Sequence, residues 1–581
     1  MARLTARHRR QNHGARMAAK SIAVIGAGPS GLVAAKELLQ EGHRVACFER
    51  AADLGGVFRF SDDPETVGVW ASCRLTSSQL VTSFSDHFPG WEDGRPYEHR
   101  QLSHDDYHAY LSSYARRFGV LERVQFDHEV VRVARLDRRW RVTARHGESG
   151  TESTSLFDAV AVCTGIHRVP SIPDLPGLDG FEGQVLHAAY YKGPASIRGR
   201  SAVFVGADES GGDIVGEASR HLNRAHLSLR RGVFVLPRLL NGLPNDYTGT
   251  RLLYSLPEFV SRRSDVEARE LKRRVARALL PLTILRGSVD AVQRRVRRVR
   301  RGETRPVLRP EVEALIEQLR ASSGGNQFET FATKTESFVE TIVDGRCDLR
   351  PGVREVTSTG VIFMDGTEVD TDALVFCTGF KPPSVPFLDV SVRLDRLYRS
   401  CFDPSHGETL AFIGFVRPPI GAIPPMSEMQ ARWFAQLLSA RVQLPAASAM
   451  EAETDEALAA RQSYHRAVFE RIPNLVDYST YMDGLAELIG CKPRLHELVW
   501  SPRLLYKLYT SAFSAVQYRL RGPHADPAIA RSVISHAPSH VRVVRFFDLA
   551  GAELARLARA RHLEPRLTLI GRVHRSAKRV V

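Results

Sequence analysis

The stretch SIAVIGAGPSGLVAAKELLQEGHRVACFER, Ser21 to Arg50, restricts the fold more than any other part of the chain. It reads as an apolar strand, a glycine turn, a helix and a second strand that ends in Glu49. Two parallel strands joined by a helix need a sheet whose faces are both covered. The helix is opened by Gly26, Ala27, Gly28, Pro29, Ser30 and Gly31. Each glycine has its own task. Gly26 makes the turn, Gly28 lets the backbone approach a phosphate, and Gly31 lets helix and strand pack closely. The start of the helix turns unpaired N–H groups and a positive dipole end toward an anion. Glu49 is placed to accept a hydrogen bond from a ribose hydroxyl. This unit is therefore predicted to bind a dinucleotide.

A second such unit begins at SAVFVGADESGGDIVGEAS, Ser201 to Ser219. Here Asp208 stands where the middle glycine is expected. A carboxylate about 6 Å from a phosphate would repel it by about 3 kcal/mol at an effective dielectric of about 20. The alternative is that Asp208 turns toward the helix N-terminus, where a negative side chain is stabilising. The sequence leaves both open. Two further strands, FDAVAVCTGIH (Phe157 to His167) and TDALVFCTGF (Thr371 to Phe380), each end in Cys-Thr-Gly. Each is expected to return the chain to a sheet and bring its glycine near a cofactor. The fold class predicted is α/β, with two intertwined Rossmann-like domains.

A length of 581 residues suits two or three domains. No apolar run reaches the roughly 18 residues that a membrane helix needs. The seven cysteines form no C-x-x-C pair, which argues against a zinc site and a dithiol reductase. Scattered single cysteines fit a reducing compartment, so a cytoplasmic location is expected. The basic, core-less N-terminus is not a signal peptide, and residues 1–16 are expected to form a disordered tail. The formal charge is +15. One helix-rich, basic stretch, residues 255–322, includes RRVRRVRR, Arg294 to Arg301. A solvated helix face is the simpler account, and peripheral contact with an anionic membrane stays open. No aromatic residues interleave with these arginines, so no nucleic-acid partner is expected.

FEGQVLHAAYY fits the fingerprint F-x-G-x-x-x-H-x-x-x-[YW] through Phe181, Gly183, His187 and Tyr191, and in this the chain resembles the flavin-containing monooxygenases, a group of class B flavoprotein monooxygenases. CFERAADLGGVFRF is similar to the family's acidic strand and Gly-Gly-x-Trp turn, with Phe58 in place of the tryptophan. SFSDHFPGW and LAFIGFVRPPIGAIPPMSEMQARW resemble two further family segments. YMDGLAELIGCKP and QYRLRGPHADPAIAR carry the likeness to about residue 535.

The resemblance implies an FAD domain built from residues 17–195 and 330–535. An NADP domain, 196–329, is inserted in it, and 536–581 form a C-terminal extension. It implies an NADPH-dependent enzyme that oxygenates a nitrogen or sulfur nucleophile through a flavin hydroperoxide, with a small-molecule substrate and O₂ as partners. Gly26 to Gly31, Glu49, Val57 and Phe58 would hold FAD. Ser210, Gly211, Gly212 and Asp213 align with the family's NADP-contacting run. Arg230 is placed to grip the 2′-phosphate. Thr76, followed by Ser77, aligns with an asparagine thought to hydrogen-bond the oxygenated flavin and the nicotinamide. A threonine has one O–H donor on a shorter arm, which puts coupling in doubt. Three alternatives remain: a Baeyer–Villiger-type ketone monooxygenase, a flavoprotein oxidase with a weakened nicotinamide site, and a non-catalytic flavin-bearing or nucleic-acid-binding protein. Tyr191-Lys192 counts against the first, which usually has Trp-Pro or Trp-Asp there.

Overall fold

The computed structural model describes residues 18–88, 98–240, 242–255, 308–323, 332–464, 469, 472 and 474–539. The N-terminal tail, the arginine run 294–301 and most of the C-terminal extension lie outside the described residues.

Two five-stranded parallel sheets carry the fold. The first has the order Leu410–Phe412, Ala159–Val162, Ser21–Ile25, Arg44–Phe48, Val124–Gln125. Its central strands are continuous apolar runs because both faces are covered, and Ile22, Ala23 and Val24 have no exposed surface. Helix Pro29–Gln40 lies on one face and packs against helix Ile423–Leu438. An antiparallel sheet of His128–Leu136, Arg139–His146 and Glu152–Phe157 leads into Ala159–Val162.

The second sheet repeats this plan in the order Gln184–His187, Ala373–Phe376, Ser201–Val205, Arg224–Ser228, Asp348–Arg350. It too is fed by a three-stranded antiparallel sheet, Val353–Val356, Gly360–Phe363 and Glu368–Asp370. The repetition extends to single atoms. Ser21 donates from both N–H and Oγ to Asp158 Oδ2, at 2.7 and 2.9 Å. Ser201 does the same to Asp372 Oδ2, at 2.9 and 2.7 Å.

The strand membership departs from the expected division at residues 196 and 329. Gln184–His187 lies before that span and Asp348–Arg350 and Ala373–Phe376 lie after it, yet all three belong to the second sheet. The second Cys-Thr-Gly strand is thus the partner of Ser201–Val205, as the first is of Ser21–Ile25. The fingerprint residues sit at this junction. A Cβ on Gly183 would lie 2.4 Å from the Phe181 ring and 2.6 Å from the Asp372 carbonyl. Tyr191 is fully buried, and its hydroxyl donates to Glu217 at 3.1 Å.

Three of the family segments meet in a buried ionic network. Arg519 donates from Nη2 to Glu37, Asp86 and Glu428, each at 2.9 Å, and from Nε to Ser85 at 2.6 Å. Lys36 bonds Glu37 at 2.9 Å and also reaches Asp86. Glu428 and Arg519 are 0% and 1% exposed, so removing one partner would strand a buried charge. The network ties the first dinucleotide helix to Ser85-Asp86, Glu428 and Arg519.

Candidate active site between the two dinucleotide units

A cleft of about 1670 Å³ runs between the two sheets, and both glycine loops open into it. In the first loop Gly26 has φ +100°, and a Cβ there would lie 2.9 Å from the Cys163 carbonyl oxygen. A Cβ on Gly31 would lie 1.7 Å from the Gly26 carbonyl oxygen. These two glycines are required by the fold itself. Gly28 is different. Its backbone is extended, at φ −72° and ψ −178°, which any residue adopts. A Cβ there would meet Gly56 Cα at 3.6 Å, an ordinary contact. Protein atoms leave room at this position, so packing does not require glycine here.

Helix Pro29–Gln40 has no side-chain cap and no acidic residue in its first turn. Its exposed N–H groups therefore suit a pyrophosphate. The Gly55-Gly56 turn closes over the loop, with Gly55 donating to the Ala27 carbonyl at 3.0 Å. Val57 and Phe58 follow and line the cleft, the Phe58 ring set edge-on to Tyr107 at 4.9 Å. Glu49 is 7% exposed and accepts from Ala27 N–H at 2.7 Å and Ala51 N–H at 3.0 Å. Each carboxylate oxygen has a second lone pair for a ribose hydroxyl. The donors and acceptors present fit FAD.

The second loop has the same framework. Gly206 has φ +93°, and its Cβ would lie 2.8 Å from the Cys377 carbonyl oxygen. A Cβ on Gly211 would lie 2.9 Å from the Gly206 carbonyl oxygen. Asp208 has φ −73° and ψ −169°, the conformation of Gly28. Its side chain turns inward and accepts from the Gly211 N–H at 3.1 Å. The carboxylate thus caps helix Glu209–Ala218 and occupies one of its free N–H donors. Of the residues expected to contact NADP, Ser210 lines the cleft. Gly211, Gly212 and Asp213 hold the helix to its neighbours instead. Gly212 faces the Thr333 and Thr335 methyl groups and the Phe338 ring. Asp213 forms a bidentate pair with Arg238 at 2.7 and 2.6 Å. Arg230 is exposed on the cleft wall and its stem packs over Gly352. Leu229 directly follows strand Arg224–Ser228, where the first unit carries Glu49 after Arg44–Phe48.

The two units touch through strand Arg74–Ser78, which carries Thr76 and Ser77 into the cleft. Thr76 Oγ1 donates to Glu209 Oε2 at 3.1 Å, and Lys334 donates to Glu209 Oε1. Ser77 shares a hydrogen bond of 2.5 Å with Thr82. The Ser78 N–H donates to Asp246 Oδ2 at 2.6 Å. Burial pushes the Asp246 carboxyl up to about 6. Burial, helped by Arg417, holds the cleft-lining His167 down to about 3, so its ring is neutral at physiological pH. Burial also pulls the Arg417 guanidinium down, opposed by Glu209 and Asp208. Glu209, Lys334, Arg417 and Asp246 were not legible as site residues. The one available signal was a second acidic residue directly after Asp208.

The family model described as flavin-binding monooxygenase-like matches residues 19–287 and 326–546. The 4-hydroxybenzoate brominase (decarboxylating) of Pseudoalteromonas luteoviolacea (strain 2ta16) is 33% identical over 555 residues, 93% of this chain and 98% of the relative. Flavin-containing monooxygenase 5 of Cavia porcellus is 32% identical over 534 residues, 87% of this chain and 90% of the relative. Among solved structures, S-allyl-L-cysteine S-oxygenase from Allium sativum aligns with a TM-score of 0.57 at 22% identity, covering 90% of this chain and 99% of that one. Cyclohexanone monooxygenase from Rhodococcus sp. Phi1 aligns with a TM-score of 0.56 at 17% identity, covering 81% and 98%. These two share the fold. No helix among the described residues is long and apolar enough to cross a membrane. The chain belongs to the flavin-binding monooxygenase-like family, and is an oxidoreductase that uses FAD and NADPH.

Proposed function

We propose that this chain oxygenates a soft nitrogen or sulfur nucleophile. One oxygen atom of O₂ goes to the substrate, the other leaves as water, and NADPH becomes NADP⁺. Bound FAD supplies the hydride acceptance and the O₂ activation. The protein's part is to hold and orient. Gly28, Ser30 and the bare helix end receive the FAD pyrophosphate, and Glu49 receives the ribose. Val57 and Phe58 give that wall an apolar surface that excludes water. Ser210 and Arg230 face the NADP side. The observation that carries this reading is that both loops and Thr76 open into one cleft, so two dinucleotides can meet across it.

A second reading keeps the same chemistry but takes an anionic nucleophile, a halide. It is favoured by Arg417 on the cleft wall, and two relatives are named brominases. NADPH oxidation measured against amines, sulfides, ketones, and bromide with a phenol acceptor separates the readings, with peroxide followed in parallel. Stimulation by amines or sulfides supports the first. A requirement for bromide supports the second. A bound flavin that NADPH does not bleach overturns both.

A further inference from the structure

The Thr76 hydroxyl has a single proton, and that proton is already taken. It points at Glu209 Oε2, 3.1 Å away. Glu209 starts the helix of the second unit, and Thr76 lies on a strand of the first. The bond therefore crosses from one unit to the other. Glu209 is itself fixed by Lys334, which is 6% exposed and donates to the other carboxylate oxygen. A carboxylate beside an ammonium accepts and does not donate. The Thr76 oxygen is left with lone pairs alone to offer the cleft. An asparagine amide in its place would offer donors.

We propose that Glu209 is a positioning residue for Thr76. It orients the Thr76 hydroxyl away from the cleft, so that this position acts there as an acceptor, and Lys334 keeps Glu209 in place. The inference rests on the reading that Thr76 lies beside the bound flavin. Thr76 and Glu209 work as one unit, so altering either disturbs the same function. Residues that act as a unit give non-additive effects, which a double-mutant cycle measures.

The test uses the full-length holoenzyme in five forms: wild type, Thr76→Val, Glu209→Ala, the double variant, and Glu209→Gln. Three readouts are compared: the visible absorption of bound FAD, the Kd for NADP⁺ by calorimetry, and the fraction of NADPH lost as peroxide. FAD content and Tm serve as controls for folding. Each single variant is expected to shift the FAD spectrum and to raise the peroxide fraction several-fold. The double variant should go no further than the larger single effect. Glu209→Gln should behave like the other single variants, because Lys334 holds the one amide oxygen and the amide NH2 then donates to Thr76, whose proton is released toward the cleft. Additive effects, or a Thr76→Val spectrum and peroxide fraction equal to wild type, overturn the pairing. Failure of the functional reading looks different: wild-type FAD that NADPH does not reduce overturns that reading and the inference with it.

Discussion

Gly28 and Asp208 occupy the same backbone position in two copies of one motif. Their φ and ψ angles agree to within about 10°. The glycines on either side are also equivalent, each pressed against the carbonyl of a Cys-Thr-Gly strand or of the first loop glycine. What differs is the helix mouth. The first leaves its N–H groups bare, whereas the second covers one with Asp208 and sets Glu209 beside it. A glycine pattern thus mixes two kinds of constraint. The outer glycines answer to packing, so both copies keep them. The middle position is not held by packing, so it can change while the fold remains.

Gly31→Ala tests the packing constraint and should have the largest effect. Its methyl would lie 1.7 Å from a backbone oxygen, so the helix must move away from the strand. The expected loss exceeds about 3 kcal/mol, beyond the usual range for overpacking. Thermal unfolding reads it, and a stability close to wild type would remove the distinction between outer and middle glycines. Gly28→Asp tests the other half. The backbone tolerates it, so the chain should stay folded while FAD affinity falls by about 3 kcal/mol, the Coulomb figure for a nearby like charge. Stoichiometric flavin in the purified variant would show that the first loop does not hold the pyrophosphate.

Asp246→Asn sharpens the comparison through pH, since Asp246 of the second unit grips the strand that carries Thr76 in the first. The folded carboxyl is raised to about 6, against about 3.9 in an unfolded chain. The folded state then binds the proton more tightly than the unfolded state. Wild type should lose stability as pH rises from about 4 to about 6, and no more above that. The gain of Asn over Asp should follow this window and level off at about 3 kcal/mol, because a folded pKa one pH unit above the unfolded one is worth about 1.4 kcal/mol. Parallel pH–stability curves for the two proteins would show that Asp246 is not the group responsible.

Asp208→Gly converts the second loop to the first. NADP⁺ binding should tighten by about 1–2 kcal/mol, because one helix donor is released and one charge removed. Asp208→Asn keeps the cap and should gain less. High salt should narrow the difference between Asp and Asn, since screening acts on the charge alone. Unchanged calorimetric Kd values would mean that the phosphates do not approach this helix end. Arg230→Ala should have the smallest effect, about 1 kcal/mol, seen as a rise in KM for NADPH but not for NADH. An equal rise for both would assign the 2′-phosphate to another arginine, with Arg231 adjacent.

Much of the first unit was legible because its signals are local. A strand, a turn of fixed glycines and a helix follow one another within 30 residues, and each step has a short-range cause. The Cys-Thr-Gly repeat was legible as an echo, but its purpose was not. Cys163 and Cys377 back the two glycine loops, a relation that needs the strands already placed side by side. Gly212 and Asp213 were read as cofactor contacts by alignment. The structure turns them to Phe338 and Arg238, because successive positions on a helix face different directions.

The sequence by itself determined two βαβ units, their glycine turns and the family, since apolar period, turn chemistry and motif spacing act over a few residues. It could not assign strands to sheets. Gln184–His187 and Ala373–Phe376 carry no local address, and they join the second sheet only because the chain crosses over to pair them there. Nor could it bring Thr76 to Glu209, or Glu37 and Glu428 to Arg519. Those meetings join residues scores to hundreds of positions apart. Only the packing of the two sheets and the helices around them sets such distances, and hydrogen bonds and ion pairs form where that packing leaves polar groups within reach.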